Sequence, residues 1–170
     1  MRRKIALVLI LALVLSLLGC SEKEDIEVPA SFYYCASTVA YDSPNGVIAS
    51  EVRETKSVCE DLTALLNLYL QGPLNADYRN PFPEGTVIEA MEWENSALIL
   101  TVSAQFSQLT GLELTLASAC LAKTALSQTG QRTVRIQCES NPLDGNPSIT
   151  LSADSLLLVD ITEAAPETTK

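Results

Sequence analysis

The chain has 170 residues, with 21 acidic side chains, 11 basic ones and no histidine, for a net charge of −10. Three of the basic residues, Arg2, Arg3 and Lys4, crowd the N-terminus, so the other eight face all 21 acids and the remainder carries −13. That balance argues against nucleic acid and against a basic patch on anionic lipid, and the lack of histidine excludes His-dependent triads and His-ligated zinc.

Residues 1–20 read MRRKIALVLILALVLSLLGC. A basic start precedes the 14-residue apolar run Ile5–Leu18, broken only by Ser16. The run has the length of a secretory signal's core and is short for a membrane span, which takes about 20 apolar residues. Its end, Leu17-Leu18-Gly19-Cys20, resembles a bacterial lipobox, in which the small residue admits the peptidase and the cysteine thiol accepts diacylglycerol. The reading is a signal peptide over 1–19, with Cys20 as the lipidation site and first mature residue; the competing reading is an uncleaved anchor with an incidental cysteine. Two acyl chains suffice for stable anchoring, which places the mature chain outside the cytoplasm, on the cell membrane.

Residues 20–30 are charged and end in Pro29-Ala30, the composition of a tether. The folded part is expected over 31–161, in one domain, and 162–170 as a disordered tail. Phe32–Ala36 reads as a first strand, Ser43-Pro44-Asn45-Gly46 as a turn, and Val47–Thr55 as a second extended segment. Ser57 with Glu60 fits a capping box opening a helix whose apolar face is Cys59, Leu62, Leu65, Leu66 and Tyr69, ended by Gly72-Pro73.

Pro81–Thr86 is a rigid turn, and Thr86–Trp93, Glu94-Asn95-Ser96 and Ala97–Val102 read as an antiparallel hairpin. Thr110 with Glu113 forms a second capping box, followed by Leu112, Leu116, Ala119, Cys120, Lys123 and Leu126 on a helix that Gly130 ends. Thr133–Cys138 alternates as a half-buried strand; residues 141–147 are a loop, and Ile149–Leu151 and Leu156–Ile161 are short extended pieces. The expected fold is α+β, a mixed or antiparallel sheet with two helices on one face.

Beyond Cys20 stand Cys35, Cys59, Cys120 and Cys138. An even count in an exported domain points to two disulfides, with three connectivities open. Pairing 35–59 with 120–138 closes the two shortest loops, but spacing alone does not select it. Four buried free thiols are the alternative. The lack of any CxxC argues against a zinc or thioredoxin-like site, and no metal or cofactor is expected.

Phe32-Tyr33-Tyr34, the helix Leu62–Leu66 ending at Gln71-Gly72-Pro73, the turn Phe82-Pro83-Glu84-Gly85-Thr86, and Ala97–Phe106 with its Ser103-x-x-Phe106 exit together resemble the GerMN domain. This is a sporulation and spore-germination module of bacterial lipoproteins. The resemblance spans about residues 32–138; the chain departs from the pattern in its four cysteines and in Thr101, where an acid is common. It implies a ring-building-motif-like, non-catalytic module outside the cytoplasm that packs against a partner envelope protein or another copy of itself, with no catalytic residues to transfer.

Among the residues themselves, Glu89, Glu92 and Glu94 beside Trp93 are the best case for a carboxylate-dependent glycan hydrolase. Strand alternation puts Glu92 and Glu94 on the face opposite Trp93, which weakens it, and Cys120 three residues before Lys123 leaves no S-x-x-K motif. Peptidoglycan binding is the alternative function, with Tyr41, Tyr78 and Trp93 near turns as stacking platforms and Phe32, Tyr69 and Phe106 assigned to the core. The candidate interaction surface is Tyr78, Arg79 and Trp93, because loops carry function.

Overall fold

The computed structural model describes residues 27–38, 47–56 and 61–156. The signal peptide, Cys20, Tyr41, the Ser43–Gly46 turn, the Ser57–Glu60 box with Cys59, most of the final extended piece and the tail lie outside the described residues.

Among the described residues, seven strands and two α-helices make an α+β fold, with the strands divided between two sheets. The first sheet is antiparallel: β1 (Glu27–Ala36) lies between β2 (Ile48–Lys56) and the two-residue β3 (Tyr78–Arg79). The second runs β4 (Ile88–Glu94), β5 (Ala97–Val102), β6 (Thr133–Gln137), β7 (Ser148–Ser152), with β5 and β6 parallel and the other pairs antiparallel. The parallel pair requires a crossover, and α2 (Gly111–Thr129) supplies it. Helix α1 (Leu62–Leu70) packs near β4, while α2 touches β1 of one sheet and β6 and β7 of the other.

Strand β1 is the interior of the molecule: Ala30, Phe32, Tyr34 and Cys35 are all fully buried. It starts at Glu27, inside the stretch read as a tether, because Val28–Ala30 pair with Thr55–Arg53 of β2. Tyr69 of α1 links the rings, 5.5 Å from Phe32, 4.9 Å from Tyr34 and 5.2 Å from Phe82. Its hydroxyl donates to the Tyr33 carbonyl at 2.6 Å, so a buried polar atom is satisfied by the strand the ring packs on.

The helix starts differ from their expected caps. Asp61 caps α1 through its carboxylate, which accepts from the Ala64 N–H at 3.0 Å. Thr110 precedes α2, but its side chain makes no capping bond; the Gly111 N–H donates instead to Asp144 Oδ2 at 3.2 Å. The buried face of α2 also differs. Leu112 is 73% exposed, whereas Leu114, Ala117, Ser118, Cys120, Leu121, Ala122, Thr124, Ala125 and Leu126 are buried. A helix between two sheets is covered over much of its circumference, so small residues sit where one amphipathic stripe would have polar ones. Gly130 (φ 65°) ends it as expected.

The β4–β5 hairpin turns through Asn95 (φ 46°) and Ser96 (φ 69°), both left-handed as a tight two-residue hairpin requires. Before it, Gly85 (φ 79°) lets the Thr86 N–H reach the Pro83 carbonyl at 3.2 Å. Ser103 joins the two features: its Oγ accepts from the Val87 N–H and its N–H donates to the Val87 carbonyl, both at 3.0 Å. Its own carbonyl accepts from the N–H of buried Phe106.

Candidate interaction groove

Trp93 stands at the end of β4, 57% exposed, and is the chain's only tryptophan. Its register partner is Leu98, which pairs in turn with Val134. It therefore belongs to the face of the second sheet that carries core residues, at the edge where core packing stops. There it borders a groove of about 460 Å³. Val28 and Pro29 form one wall, Leu62 of α1 another, and Ser127, Gln128 and Thr129 of α2 a third.

The polar wall is held in place by the backbone. Gln128 Nε2 donates to the Ser31 carbonyl at 3.1 Å and to Ser127 Oγ at 3.2 Å, and Ser127 Oγ donates to the Thr124 carbonyl at 2.8 Å. Thr129 Oγ1 donates to the Ala125 carbonyl at 2.8 Å. The lining is thus one large exposed ring, three aliphatic side chains, two hydroxyls and an amide. None of these side chains ionises near neutral pH. Such a surface can hold a ligand by apolar contact and neutral hydrogen bonds.

Tyr78 and Arg79 do not join Trp93. They form β3 against Ala36 and Cys35 of β1. Arg79 lines a separate depression of about 200 Å³ with Asn80, Phe82, Pro83, Leu109 and Glu113. The Tyr78 hydroxyl reaches the Ser50 carbonyl at 3.4 Å. The predicted surface is therefore two surfaces. The groove residues other than Trp93 escaped sequence reading because Val28-Pro29 lies in a charged stretch and Ser127-Gln128-Thr129 looks like an ordinary helix end.

Glu89, Glu92 and Glu94 are all exposed. The ladder slips between Ile88 and Ala90, so Glu89 falls at an irregularity and out of strict alternation. Glu94 pairs with Arg135 at 3.1 Å across β5. The outer face of the second sheet is polar, carrying Glu92, Glu94, Thr133, Arg135 and Thr150, with Gln137 Nε2 donating to buried Thr101 Oγ1 at 3.2 Å. The Thr101 position thus carries a neutral hydroxyl bond. Among the described residues, no three Cys, Asp or Glu side chains gather as a metal site would.

Of the cysteines, Cys35, Cys120 and Cys138 are buried thiols. The Tyr33 N–H donates to Thr124 Oγ1 at 3.0 Å and Gln128 Nε2 to the Ser31 carbonyl at 3.1 Å, a register that sets Cys35 of β1 beside Cys120 of α2. This is not the pairing that closes the shortest loops. Lys123, one turn on, lies with its Nζ 4.9 Å from the Tyr33 ring centroid, a cation–π contact.

Comparison with curated proteins gives no match. Among solved structures, the tandem GerMN domains of the sporulation protein GerM from Bacillus subtilis superpose with a TM-score of 0.56 at 16% identity, over 75% of this chain and 44% of that one. The chain thus spans less than half the length of that tandem. The first GerMN domain of the same protein alone gives 0.54 at 15% identity, over 75% of this chain and 98% of that one. At such identities the likeness is one of fold, and it is the fold the sequence resemblance implied. The family profile described as sporulation and spore germination, Germane, matches residues 31–144, about two thirds of the chain. On that match and that fold, the chain belongs to the Germane sporulation and spore germination family.

Proposed function

We propose that this is a lipid-anchored, extracytoplasmic binding domain without catalytic activity, which grips another envelope protein through the groove around Trp93. The observation that carries the reading is the groove's lining: an exposed indole beside aliphatic and neutral polar side chains, already fixed by bonds to the Ser31, Thr124 and Ala125 carbonyls. Large aromatic side chains at preorganised surfaces are the usual anchors of protein interfaces. The leader ending in Leu17-Leu18-Gly19-Cys20 supports anchoring by acylated Cys20. The family description supports a place in sporulation or germination.

The test is a photo-crosslinking amino acid in place of Trp93 in the full chain in its host. A discrete crosslinked protein band is expected; a band of twice the chain's mass would identify self-association. No crosslink at this position, with one obtained on the outer sheet face, would sink the groove.

A second reading, a wall-glycan binder, is favoured by Trp93 lying beside the Gln128 amide and two hydroxyls, the groups that stack on and hydrogen-bond to sugars. Sedimentation with purified peptidoglycan that is lost in Trp93→Ala would establish it in place of the first.

A further inference from the structure

We infer that Cys35 and Cys120 are joined by a disulfide in the mature exported chain, stapling β1 to α2. The inference rests on the export part of the reading above and not on any partner. Both residues are fully buried, and they lie on two elements that pack directly on one another. The bonds from the Tyr33 N–H to Thr124 Oγ1 and from Gln128 Nε2 to the Ser31 carbonyl fix a register that brings Cys35 opposite Cys120. Cys138, just past β6, is also buried but lies on the other sheet from Cys35. Of the three connectivities that spacing leaves open, contact favours the one containing 35–120.

The oxidant is the disulfide of an extracytoplasmic thiol–disulfide oxidoreductase. The Cys35 thiolate attacks one of its sulfurs and expels the other as a thiolate, leaving a mixed disulfide. Cys120, its proton lost to solvent, attacks Cys35 Sγ and expels the second sulfur. One S–S bond breaks in the oxidoreductase and one forms here. Two electrons pass to the oxidoreductase, which takes up two protons. Because both thiols are buried in the finished fold, the exchange happens before β1 and α2 close on each other.

The experiment uses the full chain expressed with its leader, recovered under acid quench and alkylated with N-ethylmaleimide. Trypsin places Cys35, Cys59, Cys120 and Cys138 on separate peptides, 24–53, 57–79, 80–123 and 136–170. The expected result is 24–53 linked to 80–123, in the natural chain and in Cys138→Ser alike. In Cys138→Ser, dithiothreitol should lower the melting temperature by on the order of 10 °C, a shift absent once Cys35→Ala and Cys120→Ala are added. Alkylation of both Cys35 and Cys120, or a link from either to Cys59 or Cys138, overturns the inference. The same digest reads position 20. An acylated Cys20 with free Cys35 and Cys120 sinks the disulfide alone, whereas an intact leader sinks the export reading.

Discussion

The Arg53 guanidinium donates to the Gly72 carbonyl at 2.8 Å, tying β2 to the end of α1. The same group donates to the Tyr34 hydroxyl at 3.2 Å, pairs with Glu51, and lies over the Phe32 and Tyr34 rings, 5.0 and 5.6 Å from their centroids. Glu51 in turn accepts from the Leu74 and Asn75 N–H groups, at 3.1 and 2.9 Å to Oε2. One ion pair thus holds the first hairpin, the α1 C-terminus and the loop after it. Gly72 must be glycine here: its φ is 112°, and a Cβ would sit 3.2 Å from Asn80 Nδ2.

Removing the guanidinium should cost more than an ordinary surface charge, since only 10% of its side chain is exposed. Arg53→Ala is expected to lower stability by about 2–3 kcal/mol, from the lost charged hydrogen bonds and ring contacts. Arg53→Lys should recover less than half, because an ammonium cannot span Gly72, Tyr34 and Glu51 together. Urea denaturation followed by circular dichroism measures both; equal stability of Arg53→Ala and the natural chain would show the latch to be unimportant.

The Glu51 carboxyl gives a pH signature. Burial pushes its pKa up, but the Asn75 N–H, Arg53 and the Leu74 N–H outweigh this and hold it below the ordinary 4.5. A carboxyl lower in the folded state stabilises the fold above its unfolded pKa, and that contribution fades as pH falls through the folded value. Denaturation midpoints should therefore drop below about pH 4.5, with a smaller drop in Glu51→Gln. An identical acid profile in the two chains would refute the assignment.

Tyr69 is fully buried, and burial drives its phenol well above the ordinary pKa, so it acts as a donor at every working pH. Tyr69→Phe keeps the ring contacts and removes the bond to the Tyr33 carbonyl. A loss of about 1–2 kcal/mol is expected. Tyr69→Ala should cost about 3–5 kcal/mol by leaving a cavity among Phe32, Tyr34 and Phe82. A thermal melt series distinguishes the hydroxyl from the ring.

Trp93→Ala should behave in the opposite way. The ring is more than half exposed, so stability should change by no more than about 0.5 kcal/mol, while crosslinking or binding is lost. As the sole tryptophan it reports directly: occupancy of the groove should shift its fluorescence to shorter wavelength. A partner that binds without moving that emission uses another surface.

The α+β class, the hairpin around Asn95-Ser96, the Pro83–Thr86 turn and the two glycine-ended helices were legible in the sequence, because each depends on local geometry: left-handed turn residues, proline and hydrophobic period. The assignment of Phe32, Tyr69 and Phe106 to the core and the exposure of Trp93 followed from the same patterns. Tertiary contact decided the rest. The sheet's division in two, the burial of α2 over most of its circumference, the cap supplied to Gly111 by Asp144, and the meeting of Cys35 with Cys120 join residues dozens of positions apart. Nothing in a local window encodes which of several compatible partners a strand face or a sulfur meets; that choice is made when both sheets close on one helix, by packing alone.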